Sequence, residues 1–145
     1  MRRFLFMIAL VCAVALVASC ATDSDESLRL TFDGETCVYE GPTVLTAGPV
    51  ELTFVNETSD AVAQVNLARV TGDQTAQDII DHIGGDGTPS EKPAWALDVV
   101  RKSAPPSGGT YLWEGDLEAS NYILVCLGYN PGLGVWYGSW LTVEE

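Results

Sequence analysis

The sequence predicts an all-β protein, a two-sheet Greek-key β-sandwich that carries one short helical insertion. Short runs of alternating apolar and polar residues follow one another from residue 28 onward, and most of them end at Gly, Pro, Asn or Asp. A helical period with proper end signals occurs at residues 76–83. The length of 145 residues, part of which is an apolar leader, leaves room for one such domain.

The strand predictions rest on period-two alternation between turn-forming residues. At the start of the domain, Leu28, Leu30 and Phe32 alternate with polar residues, and Gly34 ends the run. The same pattern predicts further strands before and after the helical segment. The predicted strands are residues 28–32, 36–39, 43–46, 50–55, 61–70, 110–113, 121–127 and 139–143.

The helical insertion is predicted from apolar residues at positions i, i+3, i+4 and i+7, which are Ala76, Ile79, Ile80 and Ile83. Thr75 and Asp78 form a capping pair before the helix, and Gly84 ends it. A poorer amphipathic pattern predicts a second helix from Pro93 to Arg101. Residues 103–109, which are rich in Pro and Gly, are predicted to form a loop.

The first residues are typical of a secretion signal. Arg2 and Arg3 precede an apolar run at residues 4–18 that is too short for a comfortable membrane span. The run closes with LVASC, which resembles a bacterial lipobox whose cysteine, Cys20, receives the lipid. We therefore expect a lipoprotein signal peptide at residues 1–19. The alternative is an ordinary small-residue cleavage site followed by a chance cysteine.

Residues 20–27 are predicted to be a lipidated tether, and residues 28–145 the folded domain. The tether is small and acidic and has nothing to bury, and it spans at most about 25 Å. Acyl chains together with diacylglycerol on Cys20 suffice for stable anchoring. The sequence thus predicts an extracytoplasmic protein that is anchored to the bacterial membrane, either at the cell surface or in the periplasm.

The charge of the chain argues against nucleic-acid partners. It carries 20 acidic and 7 basic residues, for a formal net charge of −13. Phosphate backbones are bound by clustered Lys and Arg, which this composition lacks. The sequence also contains no P-loop, G-x-G-x-x-G or C-x-x-C motif, so nucleotide binding and thioredoxin-type chemistry have no support.

The cysteines predict one disulfide. Cys12 lies in the signal peptide and Cys20 is the lipid acceptor, which leaves Cys37 and Cys126 in an oxidising compartment. A bond between them closes a long loop and stabilises the fold by about 4 kcal/mol on the chain-entropy account. Two alternatives are a pair of free buried thiols and a metal ligand at Cys126.

The order of the segments resembles that of the cupredoxin-like domain. The resemblance is carried by VELTFVNETSD, GDLEASNYILVC and the closing GSWLTV, and it extends over residues 28–143. It implies a cupredoxin-like sandwich in which copper is held by two imidazoles, a thiolate and a weak axial ligand such as Met. On this chain the thiolate falls at Cys126, one imidazole near residues 63–65 and the other in the loop after Cys126.

The residues do not supply such a copper site. His82 is the single histidine and lies in the predicted helix, and Met1 and Met7 belong to the signal peptide. We therefore expect a cupredoxin-like domain without metal or cofactor. The alternative is an electron-transfer or copper-handling protein that uses ligands from a partner.

The sequence gives equally little support for a known arrangement of catalytic residues. We predict that the protein is not an enzyme. His82 lies beside Asp81 and one turn after Asp78, where an imidazole interacts favourably with a helix C-terminus without any substrate. A small hydrolase that uses surface carboxylates has no positive support. A calcium site at Asp81, Asp86 and Glu91 stays open, although its spacing differs from that of an EF-hand loop.

A glycine-rich loop is predicted from Leu127 to Tyr137, where the family places its metal loop. Tyr129, Trp136 and Tyr137 offer flat rings there and are the candidate ligand-binding residues. The alternative is that Trp136 and Tyr137 close the open end of the sandwich. The predicted function is a membrane-anchored binding or structural module, with a protein or small-molecule partner that the sequence does not identify.

Overall fold

The computed structural model describes residues 27–84, 91–129 and 133–145. Within these residues the chain forms strands and one helix. In order they are β1 (Ser27–Phe32), β2 (Cys37–Glu40), β3 (Val44–Thr46), β4 (Gly48–Asn56), β5 (Ala63–Val70), α1 (Ala76–Ile83), β6 (Ala96–Ala104), β7 (Gly109–Leu117), β8 (Ser120–Tyr129) and β9 (Leu133–Glu144).

The strands pair into two sheets. One has four strands in the order β2-β1-β4-β7, and the other has five in the order β3-β9-β8-β5-β6. Neighbours are antiparallel except for β1 with β4 and β3 with β9, which are parallel. The chain passes repeatedly from one sheet to the other, so neither sheet is built from consecutive strands alone. The predicted all-β two-sheet sandwich with a short helical insertion is confirmed.

The main core lies between the two sheets. Leu28, Leu30 and Phe32 of β1 alternate inward and are buried against Leu67 of β5 and Leu124 of β8. Strands β1, β7 and β8 each contribute every second residue to this core, in keeping with the pleat of a strand. Burial of these apolar side chains provides most of the free energy that holds the sheets together.

The outer faces of the two sheets differ. The four-stranded sheet is open to solvent on its outer face, where Arg29 of β1 forms an ion pair with Glu40 of β2. The five-stranded sheet is covered on its outer face by α1 and the segment before β6. These bury a second apolar cluster against Ile123, Val125 and Leu127 of β8. Strand β8 is consequently buried on both faces.

The predicted helix is confirmed, including its ends. The Thr75 side chain and the Asp78 backbone N–H meet in a capping box, and Asp78 in turn accepts from the Thr75 backbone N–H at 2.7 Å. Gly84 ends the helix in a left-handed conformation with φ 71°, which favours glycine. Ile79 and Ile83 are the buried residues and face the sheet.

The second predicted helix, from Pro93 to Arg101, is wrong. This part of the chain contains β6, which pairs antiparallel with β5 from Ala96 opposite Val70 to Ala104 opposite Ala63. Val99 and Val100 are β-branched and suit an edge strand, and the open edge of β5 supplies hydrogen-bond partners that the weak helical pattern could not outweigh. The predicted loop at 103–109 is accordingly shortened from both sides.

The predicted loop from Leu127 to Tyr137 is also too long. Strand β8 continues through Tyr129, and β9 begins at Leu133. A β-bulge interrupts the pairing of these strands between Leu124 and Val125, opposite the Tyr137–Ser139 stretch of β9. The bulge inserts one extra residue, so the residues of β9 that face the core change from even to odd positions across it. Because the alternation is broken, β9 does not show the period of a single strand in the sequence.

The predicted signal peptide at residues 1–19 and most of the predicted tether lie outside the described residues, and β1 begins at Ser27. Among the described residues, no helix has the length and apolarity needed to cross a bilayer.

Candidate binding pocket

The predicted disulfide is confirmed. Cys37 and Cys126 are bonded with an S–S distance of 2.12 Å and a Cα–Cα distance of 5.8 Å. The bond joins β2 of the four-stranded sheet to the buried central strand β8 of the five-stranded sheet. The two alternatives, free thiols and a metal ligand at Cys126, do not describe this structure because the sulfur is consumed by the bond.

The remaining residues at this end of the sandwich do not fit a copper ion. Ala63 and Val65, where the resemblance places an imidazole, are fully buried apolar side chains. Phe32 and Trp136 pack their rings against each other with centroids 4.7 Å apart. In the described parts of the chain, no group of three or more His, Cys, Asp or Glu side chains could hold a metal ion. We therefore derive no chemistry through copper.

Two of the candidate aromatic residues lie on opposite faces of β9. Trp136 packs against the core between the sheets, whereas Tyr137 packs against the outer cluster beneath α1. Burial raises the pKa of Tyr137 above its ordinary value. The Tyr129 side chain is outside the description. Trp136 and Tyr137 are therefore strand residues that do not converge on one surface, and ligand binding by the three aromatics stays a prediction.

His82 connects the helix to the chain that follows it. Its Nε2 lies 2.8 Å from the carbonyl oxygen of Glu91, and its ring meets that of Trp95 edge-on at 6.1 Å. Asp81 accepts a hydrogen bond from Gln77 at 2.7 Å on the exposed side of the helix. Asp86, the third member of the open calcium set, lies outside the described residues.

A pocket of about 300 Å³ lies between α1 and the outer face of the five-stranded sheet. Its walls are mainly aliphatic side chains from the helix and from three strands. They are Ala68 of β5, Ile79 and Ile83 of α1, Ile123, Val125 and Leu127 of β8, and Val135 of β9.

The segment that precedes β6 forms the rim of the pocket. Both the backbone N–H and the hydroxyl of Thr71 donate to the carbonyl oxygen of Trp95, at 2.8 and 3.1 Å. This pair of bonds fixes Trp95 at the rim, where it lines the pocket with Pro93 and Ala96. The position of the rim thus depends on the turn after β5 as well as on β6 itself.

One polar side chain lies deep in the pocket. Asn66 of β5 is only 7% exposed, and its Nδ2 donates to Asp98 Oδ1 at 2.9 Å. Its Oδ1 is also buried and accepts no hydrogen bond from any described residue. A buried acceptor without a donor lowers the free energy of unfolding.

Asp98 holds this arrangement in place. Lys92 Nζ lies 2.8 Å from Asp98 Oδ2, on the opposite side of the carboxylate from Asn66. Burial acts to raise the pKa of Asp98, but hydrogen bonds from Lys92 and Asn66, with the charges of Lys92 and Arg101, outweigh it and leave the pKa below its ordinary value. Asp98 is therefore ionised at neutral pH and accepts the hydrogen bond from Asn66 Nδ2.

This pocket was not predicted from the sequence, although two features of the sequence pointed to it. Asn66 interrupts the apolar stretch of β5 at a position that the strand buries, and a polar residue there needs a partner. Lys92 and Arg101 are among the few basic residues of a strongly acidic chain, and both line the pocket. Neither feature is enough to predict a pocket, because the pocket forms only when α1 packs over the five-stranded sheet.

Comparison with known proteins gives one structural likeness. No protein-family model matches the chain, and no curated protein sequence does. Among solved structures, the chain is similar to sodium-dithionite-reduced auracyanin from the photosynthetic bacterium Roseiflexus castenholzii, a cupredoxin. The identity is 18%, the match covers 83% of this chain and 98% of that chain, and the TM-score is 0.45.

Proposed function

We propose that this protein is a lipid-anchored, extracytoplasmic binding module of a bacterial membrane, and that the pocket beneath α1 is its binding site. The observation that carries the proposal is an apolar pocket of about 300 Å³ with Asn66, Lys92 and Arg101 as polar residues of its lining. Small-molecule sites combine an apolar lining with a few placed polar groups, and a pocket of this volume lies at the lower end of their range.

The size of the pocket supports binding over a purely structural role. Protein interiors are packed at the density of organic crystals, and voids larger than a water molecule are few. A helix laid over a sheet only to cover it would be expected to leave no such space beneath it. Here Ile79 and Ile83 pack into one cluster with Ile123 and Val125 of β8, and a space of about 300 Å³ still remains beside them.

The membrane anchor rests on the sequence at Cys20 and on the position where the domain begins. Strand β1 starts at Ser27, the last residue of the proposed tether. Phe32 and the disulfide lie at the opposite end of that strand, since Cys37 pairs with Phe32. The proposed tether therefore joins the sandwich at the end of β1 away from the disulfide.

The anchor is tested by intact mass and cell fractionation of the full chain. We expect the parent protein to remain with membranes and to carry a lipid mass on Cys20. The variant Cys20→Ser should carry no lipid and should leave the membrane fraction. A parent chain without lipid, or a Cys20→Ser variant that stays membrane-bound after signal cleavage, would contradict the proposed anchor.

Binding is tested with 2-naphthol as the probe, because it is apolar, small and bears one hydroxyl. The Cys20→Ser protein, after cleavage of the signal peptide, has neither lipid nor apolar leader and needs no detergent, and ligand-observed NMR gives the Kd. We expect saturable one-to-one binding that Ala68→Phe abolishes, since Ala68 lines the pocket. Ala119→Phe adds the same atoms at an exposed position and serves as the matched control. If Ala68→Phe binds 2-naphthol as tightly as Ala119→Phe does, the proposed site is wrong.

A further inference from the structure

We propose that the pocket beneath α1 takes a small amphiphile with one negative charge, of which a medium-chain carboxylate is the simplest form, and that Arg101 binds its charged group. This inference rests on the proposed function and adds the chemical class of the ligand. It is carried by the apolar walls of the pocket, by the guanidinium of Arg101 and by the contacts of the neighbouring carboxylate.

The walls of the pocket favour an apolar chain. Ile79 and Ile83 of α1 and Val125 of β8 line the space and belong to one apolar cluster. A polar group placed among them would lose its hydrogen bonds to water and gain none. With about 30 Å³ for each water-sized atom, the volume of about 300 Å³ holds roughly ten non-hydrogen atoms, which is the size of octanoate.

Arg101 of β6 supplies the cation of the proposed site. Its Nε donates to Gln64 Oε1 at 3.1 Å, and Gln64 Nε2 in turn donates to the Ser103 hydroxyl at 3.0 Å. These two bonds hold the guanidinium beside the pocket that it lines. Within the part of the chain that the structure describes, Arg101 forms no ion pair with a carboxylate. Its remaining N–H groups can therefore bind the carboxylate of a ligand, to which a guanidinium offers two parallel donors.

Asp98 lies on the same strand as Arg101, but other groups engage both of its carboxylate oxygens. Oδ1 accepts from Asn66 Nδ2 at 2.9 Å, and Oδ2 lies 2.8 Å from Lys92 Nζ. Asp98 therefore acts on Arg101 only through its charge at longer range. Because Lys92 is matched by Asp98, a negative charge that enters the pocket finds its partner in Arg101. One such cation matches a ligand with a single negative charge.

The lining differs from the rest of this acidic chain. The sequence has 20 acidic and 7 basic residues, so the protein as a whole repels anions. The lining reverses this ratio, since it contains Lys92 and Arg101 against one acidic residue, Glu91. Arg101 is also exposed to solvent. A charged group bound there keeps part of its water while the apolar chain enters the space beneath α1, which is the arrangement that an amphiphile requires.

The test compares octanoate with octanamide, which have the same number of non-hydrogen atoms and differ in charge. In the Cys20→Ser protein, after cleavage of the signal peptide, we expect octanoate to bind about fivefold more tightly, as one partly exposed ion pair predicts. Ligand-observed NMR measures both affinities. The net charge of the protein opposes octanoate, so a preference for it must come from a local cation.

Two variants with the same change of charge identify that cation. Arg101→Gln should lower the affinity ratio between octanoate and octanamide to about one, whereas Lys102→Gln should leave it unchanged. Arg101 pairs with Asn66 of the pocket lining, but Lys102 pairs with Val65 of the core between the sheets, so Lys102 lies on the other face of the sheet. Octanamide should bind both variants equally, which verifies that the pocket is intact.

Two results with these variants would overturn the inference. If Arg101→Gln retains the preference for octanoate, the charged group binds elsewhere. If Lys102→Gln loses the preference as fully as Arg101→Gln does, the preference reflects the general field of the protein and not a contact with Arg101.

The remaining outcomes separate the inference from the proposed function. If octanoate and octanamide bind equally and Ala68→Phe blocks both, the pocket is a binding site but Arg101 does not select its ligand, which overturns the ligand class alone. If 2-naphthol binds and octanoate does not, the ligand class is again wrong and the proposed function stands. If none of the three probes binds, both proposals fall together.

Discussion

Asp98 is an ionised residue next to the candidate pocket, where it pairs with Lys92 of the pocket lining and has a shifted pKa. Its pKa lies below the ordinary value of 3.8 because hydrogen bonds from Lys92 and Asn66 outweigh the opposing effect of burial. The native state therefore binds fewer protons than the unfolded chain in the window between the two pKa values. Stability that is present above pH 3.8 is lost as the pH falls through the native pKa.

We predict that Asp98→Asn loses less stability on acidification than the parent. The free energy of unfolding, measured in urea at pH 7 and at successive acid pH values, should decline less in the variant because its amide does not titrate. Other carboxylates contribute equally in both proteins, so the difference between the two curves reports on Asp98. Parallel curves would contradict the assignment.

Asn56 plays a structural part at the end of the sandwich. It is fully buried, and its Nδ2 donates to the carbonyl oxygens of Ala61 and Ala104 at 2.8 and 3.0 Å. Its Oδ1 accepts from the backbone N–H of Thr58 at 3.1 Å. The contact with Ala104 crosses from the four-stranded sheet to the end of β6. Unlike Asn66, this amide has partners for both its atoms.

We predict that Asn56→Leu lowers the free energy of unfolding by about 3 kcal/mol, since several buried polar groups lose their partner at once. Thr58→Val, which removes a hydroxyl from the same network, should cost about 1 kcal/mol. Urea unfolding monitored by tryptophan fluorescence measures both. Equal stability of Asn56→Leu and the parent would show that water replaces the amide.

At the scale of the elements, Gly138 makes the bulge of β9 possible. A Cβ atom added there would lie 2.8 Å from Leu30 Cδ1, 3.0 Å from the Leu124 carbonyl oxygen and 3.1 Å from Cys37 Sγ. The backbone oxygen cannot move without disturbing the ladder between β8 and β9. The bulge therefore packs directly against the core and the disulfide.

Accordingly, we expect Gly138→Ala to destabilise the protein by about 2 kcal/mol, the usual cost of overpacking a core. Ser139→Ala, at the neighbouring buried position, adds no atom and should cost less than 1 kcal/mol. Denaturant midpoints of the two variants provide the comparison. A Gly138→Ala protein as stable as Ser139→Ala would show that the sheets separate easily at this point.

The disulfide acts at the scale of the whole molecule, because it joins the two sheets across a sequence separation of 89 residues. Cross-linking so distant a pair restricts the unfolded chain strongly. We predict that the double variant Cys37→Ala/Cys126→Ala is about 4 kcal/mol less stable than the oxidised parent. Urea unfolding of the parent, before and after reduction, gives an independent value that should agree. A loss below 1 kcal/mol would contradict this account.

The strands β1 to β5, β7 and β8 and the helix α1 were predictable because their residues carry the information locally. Alternation of apolar side chains has the period of a strand, and the Thr75 to Asp78 capping box with Gly84 marks the helix at both ends. The disulfide was predictable as well, since Cys37 and Cys126 were left once Cys12 was assigned to the signal peptide and Cys20 to the lipid. In these cases the local sequence pattern favours the same secondary structure or cross-link that the folded protein contains.

Tertiary structure alone decided the position of β6, the start of β9 and the candidate pocket. Strand β6 forms because the edge of β5 offers it hydrogen bonds, and the start of β9 is hidden by a bulge that reverses its faces. The candidate site could not be found from spacing, because Asn66, Ile79 and Lys92 meet only when the helix packs over the five-stranded sheet. The sequence by itself determined the sandwich and its cross-link through local periodicity and composition. Where a polar atom is left without a partner depends on which distant surfaces come together, and only the packed structure decides that.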